Sequence, residues 1–476
     1  MKDSIVRIES ITINNFKNVT HGQLDFENKR KAYRTSILGL YGQNGSGKTA
    51  LIDVIELLKL ALTGQPIPVK FADYISVDAE LANVKYEFKV ENKGRVFNAT
   101  YEFSLMKDNE NFLQNIENSE LKDNQYEVRL FNEVLSYAYE SESEKSRLSP
   151  LIDTRKAIVF VPQVKLDCLV GKDKEILTEL VVAKRMAFAT SRSYIFSKEF
   201  LSVIRTNCDK NNRVDAELER HMLLIESLVQ FGNFELFIIN TSNSGLISMN
   251  ALPLAFKYED KNIGAVGNMM IPLNAATTIP EEMLDVAQNV IRSMNIVLSQ
   301  IVPGLTISIK ELGQEVLKNG KIGARIQLIS NKNSKEIPLQ YESEGIKKLV
   351  SILQLLIVVY NKPSITVAID ELDAGVFEYL LGEVLHIISE KGKGQLIFTS
   401  HNLRPLETLD RGFVAFTTTN PNNRYIRFSH VRDTNNLRDF YFRDIVLGEQ
   451  SEEVYDATNN YEIALAFREA GELCGA

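Results

Sequence analysis

The sequence predicts a mixed α/β fold, and three observations support it. Strand-like runs lead into a glycine-rich turn at residues 42–47, after which an apolar run at helical spacing continues to Gly64. Residues 81–139 form short alternating runs separated by polar turns, which is typical of an antiparallel β-lobe. Residues 172–232 are mainly helical. The order strand, glycine-rich turn, helix is the one that a phosphate-binding loop requires.

The first third of the chain is rich in predicted strands. Residues 4–14, "SIVRIESITIN", alternate apolar and polar side chains like a half-buried strand, and "GQLDFE" and "RTSILGLYG" supply two more runs. Beyond the β-lobe, "KAIVFVPQ" at residues 156–163 predicts a compact apolar strand.

The middle of the chain is predicted to be mainly helical. The stretch at 172–232 has breaks at "DKNN" and "FGN", and it fits either a helical hairpin or a short coiled coil. Residues 233–275 look mixed and rich in strands, and a helix follows at about 279–300.

The remainder alternates strands and helices. The strands "LTISIKEL" and "GARIQLIS" lead to a helix that starts near Ser343. Then come "SITVAIDELD", a helix at about 375–391, "GQLIFTSHN" and a strand pair at about 412–430. Residues 431–476 are predicted to form a polar loop and a closing helix.

The composition is that of an ordinary globular protein: of 476 residues, 44% are hydrophobic and 24% are charged. No apolar run is long enough for a membrane span, and the first residues do not read as a secretory leader, so we expect a cytoplasmic protein without a membrane partner. The net charge of −8 argues against a protein that coats DNA with its whole surface, but it is compatible with a local basic channel. Cys168, Cys208 and Cys474 lie far apart and predict neither a disulfide framework nor a zinc site.

The turn "GQNGSGKT" matches the phosphate-loop pattern GxxxxGK[ST] at every fixed position. Glycines allow backbone N–H groups to surround phosphate oxygens, and the following helix N-terminus adds positive potential. Lys48 is expected to reach the terminal phosphates and Thr49 to bind Mg²⁺. The predicted nucleotide-binding residues here are Gly42, Gln43, Asn44, Gly45, Ser46, Gly47, Lys48 and Thr49.

The stretch "SITVAIDELD" supplies a second half for this site, because an apolar strand ends in two acids. Asp370 is expected to hold the magnesium and Glu371 to polarise the attacking water as a general base. "LIFTSHN" places His401 just beyond another apolar strand, where it could contact the terminal phosphate or orient the water.

The stretch "YESEGIKKL" predicts a helix start, because a serine oxygen can accept from unpaired backbone N–H groups. With a phosphate loop elsewhere in the chain, the same turn can also be half of a nucleotide site.

In their order along the chain, these motifs carry a family resemblance. The chain resembles the ABC-type ATPase heads of SMC proteins, RecF and the overcoming-lysogenization-defect nucleases. It shares with them the order of a phosphate loop, inserted lobes, a helix that starts with Ser-x-Gly, a strand that ends in Asp-Glu and a strand followed by a histidine. These belong to a wider group of bacterial AAA-family ATP-binding proteins often found in phage-defence operons. "ITINNFKNVTHGQLDF" strengthens the resemblance, because such heads typically begin with a strand, an Asn-Phe-(Arg/Lys) turn and a second strand. The resemblance covers residues 4–70 and 300–430.

The resemblance implies an ABC-ATPase head, which is a P-loop NTPase fold, with an antiparallel β-lobe and an inserted mainly helical region. It implies ATP and Mg²⁺ as the bound groups and magnesium-dependent ATP hydrolysis as the activity. It makes Asn15 and Lys17 candidates for contacts near the base or ribose. Gln163 in "VFVPQ" matches a Q-loop residue that senses magnesium and the attacking water.

Three further residues follow from the same resemblance. Ser343 and Gly345 match the signature motif, which covers the terminal phosphate of a nucleotide bound to the opposite protomer. Asp373 matches the loop that crosses the dimer interface. The family pattern therefore implies a homodimer or higher homo-oligomer that forms through the ATP sites.

Four segments are expected. Residues 1–165 form the first part of the head with the phosphate loop and β-lobe, and 166–300 form the inserted helical and mixed region. Residues 301–430 complete the head with the signature, the acidic strand end and His401, and 431–476 form a helical extension.

By analogy, the chain is expected to act as a nucleotide-driven switch that controls a separate, co-encoded effector in antiviral defence. The alternatives are a DNA-repair or chromosome-maintenance head of the RecF kind, with nucleic acid as an open partner, and an ATP-regulated nuclease.

Overall fold

The computed structural model of the chain describes residues 4–26, 35–92, 94–108, 127–142, 144–156, 158–210, 216–240, 251–260, 263–317, 320–429, 436–448 and 450–473. The strands of the first half are β1 (Ile5–Phe16), β2 (Val19–Asp25), β3 (Ser36–Tyr41), β4 (Leu81–Asn92), β5 (Arg95–Asp108), β6 (Glu127–Glu140), β7 (Ser149–Asp153) and β8 (Leu236–Ile239). Those of the second half are β9 (Ala251–Asp260), β10 (Ile263–Pro272), β11 (Thr277–Pro280), β12 (Leu305–Val316), β13 (Ile322–Lys332), β14 (Lys335–Pro338), β15 (Thr366–Ile369), β16 (Gln395–Thr399), β17 (Val414–Thr417) and β18 (Tyr425–Ile426). The helices are α1 (Lys48–Leu62), α2 (Gln163–Val170), α3 (Lys174–Ala189), α4 (Lys198–Lys210), α5 (Ala216–Gln230), α6 (Leu284–Ile301), α7 (Glu344–Asn361), α8 (Glu378–Lys391), α9 (Pro405–Thr408), α10 (Leu437–Leu447) and α11 (Asn460–Leu473).

A six-stranded central sheet carries the ends of the motifs. Its order is β18-β17-β3-β16-β15-β8, and β8, β15, β16, β3 and β17 run parallel while β18 closes the edge antiparallel. Ligands in such sheets bind beyond the carboxyl ends of the strands. The phosphate loop follows β3, the Asp-Glu pair follows β15 and His401 follows β16, so all three motifs lie at one edge.

The predicted antiparallel β-lobe is confirmed, and it includes the first two strands of the chain. Its order is β2-β1-β4-β5-β6-β7, with every pairing antiparallel. Helix α1 is buried on nearly all sides, because it lies in the core between this lobe and the central sheet. A helix that is apolar all round is expected only in such a position. The mixed α/β fold class is therefore confirmed.

Helices α3, α4 and α5 pack into the same core as the β-lobe, with Leu180, Phe200 and Leu224 buried. The predicted break at "FGN" is a single π-helical turn, Phe231–Glu235, that leads from α5 into β8. Strand β8 of the central sheet therefore comes from residues 166–300, the segment predicted to be an insertion. The division into four segments stays a prediction. No described helix is both long and apolar enough to cross a bilayer.

Three predictions of secondary structure need correction. The described residues of "KAIVFVPQ" do not form a strand: Val161 makes one isolated bridge with Asp153, and Pro162, which has no N–H, follows it at once. The helix predicted at 279–300 begins only at Leu284, because Thr277–Pro280 pair with β13. The described part of the segment 431–476 contains two helices rather than one, and residues 430–435, 449 and 474–476, which include Cys474, lie outside that part.

Candidate functional site

The phosphate loop is shaped by close contact with the end of β17. Gly42 has a φ of 154°, and a Cβ placed there would lie 1.7 Å from Thr417 Oγ1, so no other residue fits without moving β17. The Ser46 hydroxyl lies 2.5 Å from the same Thr417 oxygen and donates to Gln43 O at 2.6 Å. The buried Tyr425 hydroxyl donates to Gly47 O at 3.0 Å. The loop is thus held from behind by β17 and β18.

Lys48 lies folded against its own loop. Its Nζ donates to Gly42 O at 2.8 Å and to Gln43 O at 2.9 Å. Burial lowers the pKa of Lys48 to about 8, against the opposing effect of the Asp370 and Glu371 carboxylates. An ammonium group held by two carbonyls is available to a phosphate ligand, because it can exchange these neutral acceptors for charged ones.

This lowered pKa predicts a pH dependence of nucleotide binding. Bound phosphates favour the charged lysine, so above the pKa of about 8 binding must first restore a proton, and affinity falls as pH rises. For one proton, the dissociation constant for MgADP should rise up to roughly thirtyfold between pH 7 and 9.5, as measured by calorimetry. A Lys48→Arg protein, whose guanidinium stays charged, should show a flat profile over this range. A flat profile for the native chain would contradict the prediction.

The two acids after β15 are oriented by Thr399 at the end of β16. The Thr399 hydroxyl donates to Asp370 Oδ1 at 2.6 Å and accepts from the Glu371 N–H at 2.8 Å. Glu371 has a φ of 48°, a left-handed conformation that non-glycine residues adopt at a cost of about 1–3 kcal/mol and that clusters at functional sites. Lys348 on α7 is buried near these acids: burial lowers its pKa to about 8, and the carboxylates of Asp373, Asp370 and Glu371 oppose that shift.

Asp373 connects the acidic loop to the loop of His401. Its Oδ2 accepts from the backbone N–H groups of His401 at 3.1 Å and Asn402 at 2.9 Å. Its Oδ1 is buried and has no hydrogen-bond partner within the described part of the chain. His401 itself is exposed at the rim. Asp373 therefore contacts the same chain's histidine loop, and its predicted contact across an interface stays a prediction.

A cavity of about 680 Å³ joins these motifs. This is the size of pocket that binds cofactors and nucleotides. Among the predicted residues, its lining contains Lys17, Asn44, Gly45, Gly47, Lys48, Thr49, Asp370, Glu371 and His401.

The cavity offers a donor set that fits magnesium bound together with phosphate. Thr49 and Asp370 both line it, and Mg²⁺ is commonly held by one or two carboxylates, waters and substrate phosphates. The described residues contain no group of three or more His, Cys, Asp and Glu that could hold a metal by themselves. Thr49 and Asp370 remain the proposed metal ligands.

The turn between β1 and β2 supports the far wall of the cavity. Asn15 and Lys17 have positive φ angles, of 56° and 52°, and their backbones bind the facing loop: Lys17 N–H donates to Tyr74 O at 2.5 Å, and Ser76 N–H donates to Asn15 O at 3.0 Å. The Lys17 ammonium lines the cavity while it pairs with Asp53 and lies 4.0 Å from the centre of the Tyr74 ring. Asn15 does not line it. A role for Asn15 in holding the wall fits these contacts.

The predicted serine cap is confirmed, and Gly345 has an additional reason to be glycine. The exposed Ser343 Oγ accepts from the Ile346 N–H at 3.3 Å. A Cβ on Gly345 would lie 2.2 Å from Gly375 O, so the start of α7 is pressed against the loop that follows the two acids. Neither Ser343 nor Gly345 lines the cavity of its own chain.

Gln163 is the first residue of α2, where its amide donates to Asp167 Oδ1 at 2.7 Å, and it does not line the cavity. Its Q-loop role stays a prediction.

The sequence reasoning missed Thr399 and Asn18. Thr399 could have been found in "IFTSHN", because it stands at the strand end directly before the serine and the histidine. Asn18 lines the cavity and its amide donates to Gly45 O, but nothing in the sequence marks it except its position in a turn.

Comparisons with known proteins bear on these motifs. Residues 10–222 match a family model described as an AAA domain, which spans the phosphate loop and the β-lobe but ends before the two acids. No curated protein is significantly similar in sequence to the chain.

Three solved structures are among those similar to the chain. The Smc head domain of Pyrococcus furiosus with an extended coiled coil, bound to the C-terminal domain of ScpA, is 13% identical, with 89% of this chain and 97% of that chain covered and a TM-score of 0.38. The SMC head domain of Thermotoga maritima is 13% identical, with 89% and 99% covered and a TM-score of 0.33. The recombination mediator RecF with ATP is 12% identical, with 84% and 94% covered and a TM-score of 0.32.

The chain itself shows a phosphate loop and two acids at the carboxyl edge of a parallel sheet, with an antiparallel lobe packed beside it. Residues 10–222 are similar to an AAA domain, and this placement of the loop and the two acids at one edge of the sheet is the arrangement of a nucleotide-binding site.

Proposed function

We propose that the chain hydrolyses ATP and acts as a dimerisation switch, in which each nucleotide is enclosed by two copies. The observation that carries this proposal is the position of the signature turn. Ser343 is exposed at the N-terminus of α7, outside the cavity that its own phosphate loop lines. A helix N-terminus favours anions, so the turn suits the terminal phosphate of a nucleotide held by another copy.

The proposed chemistry divides among the residues of the cavity. Lys48 and the loop N–H groups neutralise and hold the phosphates, while Thr399 orients both acids. Glu371 accepts a proton from the attacking water, and His401 lies on the facing rim of the same cavity. Magnesium, held by Thr49 and Asp370, would neutralise charge that develops on the phosphates.

Closure on ATP provides the switch. ATP can drive two copies together only if it binds the closed state more tightly than the open one, and a phosphate contact made only in the dimer supplies that difference. Within one chain, Gly345 presses on Gly375, and Asp373 in the same loop holds the His401 backbone. The signature turn, which would act at the other copy's nucleotide, is therefore connected to the histidine loop beside the nucleotide of its own chain.

This connection predicts the effect of Gly345→Ala. The added methyl group must push Gly375 away, which displaces the loop that carries Asp373 and Glu371. Displacements of about 1 Å can cost a hundredfold, so we expect ATP turnover to fall roughly ten- to hundredfold while the monomer binds nucleotide normally. Ser293→Ala, at an exposed position on α6, is the control. Unchanged turnover in Gly345→Ala would show that the contact does not matter.

For the biological role, we propose a cytoplasmic regulatory ATPase that controls a separate effector, in antiviral defence. The support is the likeness of its motifs to ATPases of defence operons. The RecF-type repair role remains the alternative. A phage-protection assay separates the two roles: a defence protein should protect cells from phage, and Glu371→Gln should lose this protection while a matched surface variant keeps it. A nuclease site in the chain itself gains no support from the described residues, which contain no second acidic cluster of metal-binding type.

The dimerisation switch is tested by Ser343→Arg. An arginine at this exposed position would obstruct the approach of the second copy, so the variant should bind ATP like the native chain yet sediment as a monomer with ATP and magnesium. Ser293→Arg, at an exposed position on α6, should dimerise normally. ATP-dependent dimers of Ser343→Arg would contradict the proposal. The substitution also removes a helix cap worth about 1 kcal/mol, so circular dichroism is used to check that the variant is folded.

A further inference from the structure

Helix α11 is folded without any buried side chain among its described residues. Every residue from 460 to 470 is exposed, including Tyr461 and Phe467, each at 77%, and Ile463 and Leu465, each at 42%. Helices of about 12–15 residues are marginal in water on their own, and most helices in proteins are stabilised by packing. A helix of 14 residues with four large apolar side chains exposed calls for a covering surface.

The segment that leads to α11 is anchored at the phosphate loop. The Asp456 N–H donates to the side chain of Gln43 at 2.9 Å, and α11 begins four residues later, at Asn460. Upstream, Val454 is buried at 2% exposure and Glu453 O accepts from the Thr419 N–H at 2.8 Å. The segment before α11 is therefore fixed to the phosphate loop.

Exposed aromatic side chains flank the signature turn. Tyr341, at 71%, lies two residues before Ser343. Phe377, also at 71%, lies two residues after Gly375, which contacts Gly345. Tyr379 is 54% exposed on the first turn of α8. We call Tyr341, Phe377 and Tyr379 the signature-side aromatics.

We propose that α11 of one copy docks on the signature-side aromatics of a second copy when ATP closes the dimer. The inference rests on the proposed function. In a two-fold dimer, the phosphate-loop rim of each copy faces the signature turn of the other. Because the segment before α11 is bound to Gln43 of the phosphate loop, α11 starts beside the loop that would face the opposing Ser343 and its neighbouring aromatics. Buried aromatic side chains cover 150–250 Å² each, so these contacts would contribute strongly to closure.

Cross-linking between two differently tagged chains tests the docking. Both carry Glu371→Gln and have Cys168, Cys208 and Cys474 changed to serine; one has Phe467→Cys and the other Phe377→Cys. A short bismaleimide should join the two tags with ATP and magnesium, and at least about tenfold less without nucleotide. Phe188→Cys, at a 40% exposed phenylalanine on α3, replaces Phe377→Cys as the control and should not react.

Sedimentation of the same mixtures separates the possible failures. ATP-dependent dimers without the cross-link would overturn the docking and leave the proposed function standing, whereas absence of dimers would overturn both. A nucleotide-independent bond within one chain between Phe467→Cys and Val446→Cys would show that α11 packs on its own α10, and would also overturn the docking.

A second variant measures the energetic contribution of α11. Tyr461→Ala with Phe467→Ala should weaken ATP-dependent dimerisation by about tenfold or more, with nucleotide affinity of the monomer unchanged. The matched control, Val182→Ala with Met186→Ala, changes exposed apolar residues of α3 and should leave dimerisation as in the native chain. Equal dimerisation constants in the two double variants would overturn the docking.

Discussion

Glu371→Gln is expected to lower ATP turnover by about two to four orders of magnitude, the usual contribution of a general base. The amide cannot accept the proton of the attacking water, but it has nearly the volume of the acid and can keep the left-handed backbone held by the Thr399 hydroxyl. ATP binding should persist because Lys48 and its loop are unchanged. The variant should therefore accumulate as an ATP-bound dimer.

The control for this prediction is Glu390→Gln, the same substitution at an exposed position in the last turn of α8. It should hydrolyse ATP like the native chain. Turnover is followed by phosphate release, and nucleotide content by chromatography of the isolated dimer. If Glu371→Gln keeps more than about one tenth of native turnover, Glu371 is not the base.

Lys48→Met is expected to weaken nucleotide binding strongly. Hydrogen bonds to charged groups are worth about 1.5–3 kcal/mol, so loss of the ammonium should weaken ATP by roughly a hundredfold. The fold should tolerate the change, because the methionine fills similar volume and removes a buried charge whose two acceptors, Gly42 O and Gln43 O, are neutral.

Lys59→Met is the matched control. Lys59 lies on the same helix, donates to Leu236 O at 2.6 Å and also has its pKa lowered to about 8 by burial, but it does not line the cavity. It should bind ATP with native affinity, as measured by calorimetry. Equal loss of affinity in both variants would assign the effect to helix α1 rather than to Lys48.

The parts of the site that the sequence predicts are those formed by consecutive residues. The phosphate loop takes its shape from glycines within eight residues, and Asp370 and Glu371 follow directly from the end of a four-residue buried strand. Ser343 caps α7 through a bond to Ile346, three residues away. Each of these interactions is local, so residue type and spacing were enough.

The parts that the sequence did not predict depend on contacts between distant segments. Gly345 is close to Gly375 only because α7 crosses the loop after β15, and the orienting hydroxyl of Thr399 comes from the neighbouring strand. β8 joins β15 although more than a hundred residues separate them. "KAIVFVPQ" has the composition of a strand, but its only described pairing is the bridge at Val161, so composition alone misled.

The central claim is that one copy binds the phosphates while the other completes the site, and a mixing experiment tests it most directly. Lys48→Met keeps a native signature turn, and Ser343→Arg keeps a native phosphate loop. Alone, each should show almost no ATP turnover. Mixed in equal amounts, they should regain part of native turnover, because each mixed dimer contains one site with native Lys48 and native Ser343. The single Ser343→Arg turn of that dimer faces the phosphate loop of the Lys48→Met copy, where no ATP is bound and the empty cavity leaves room for the longer side chain. If the mixture is as inactive as its components while each still folds, the site is not shared between copies.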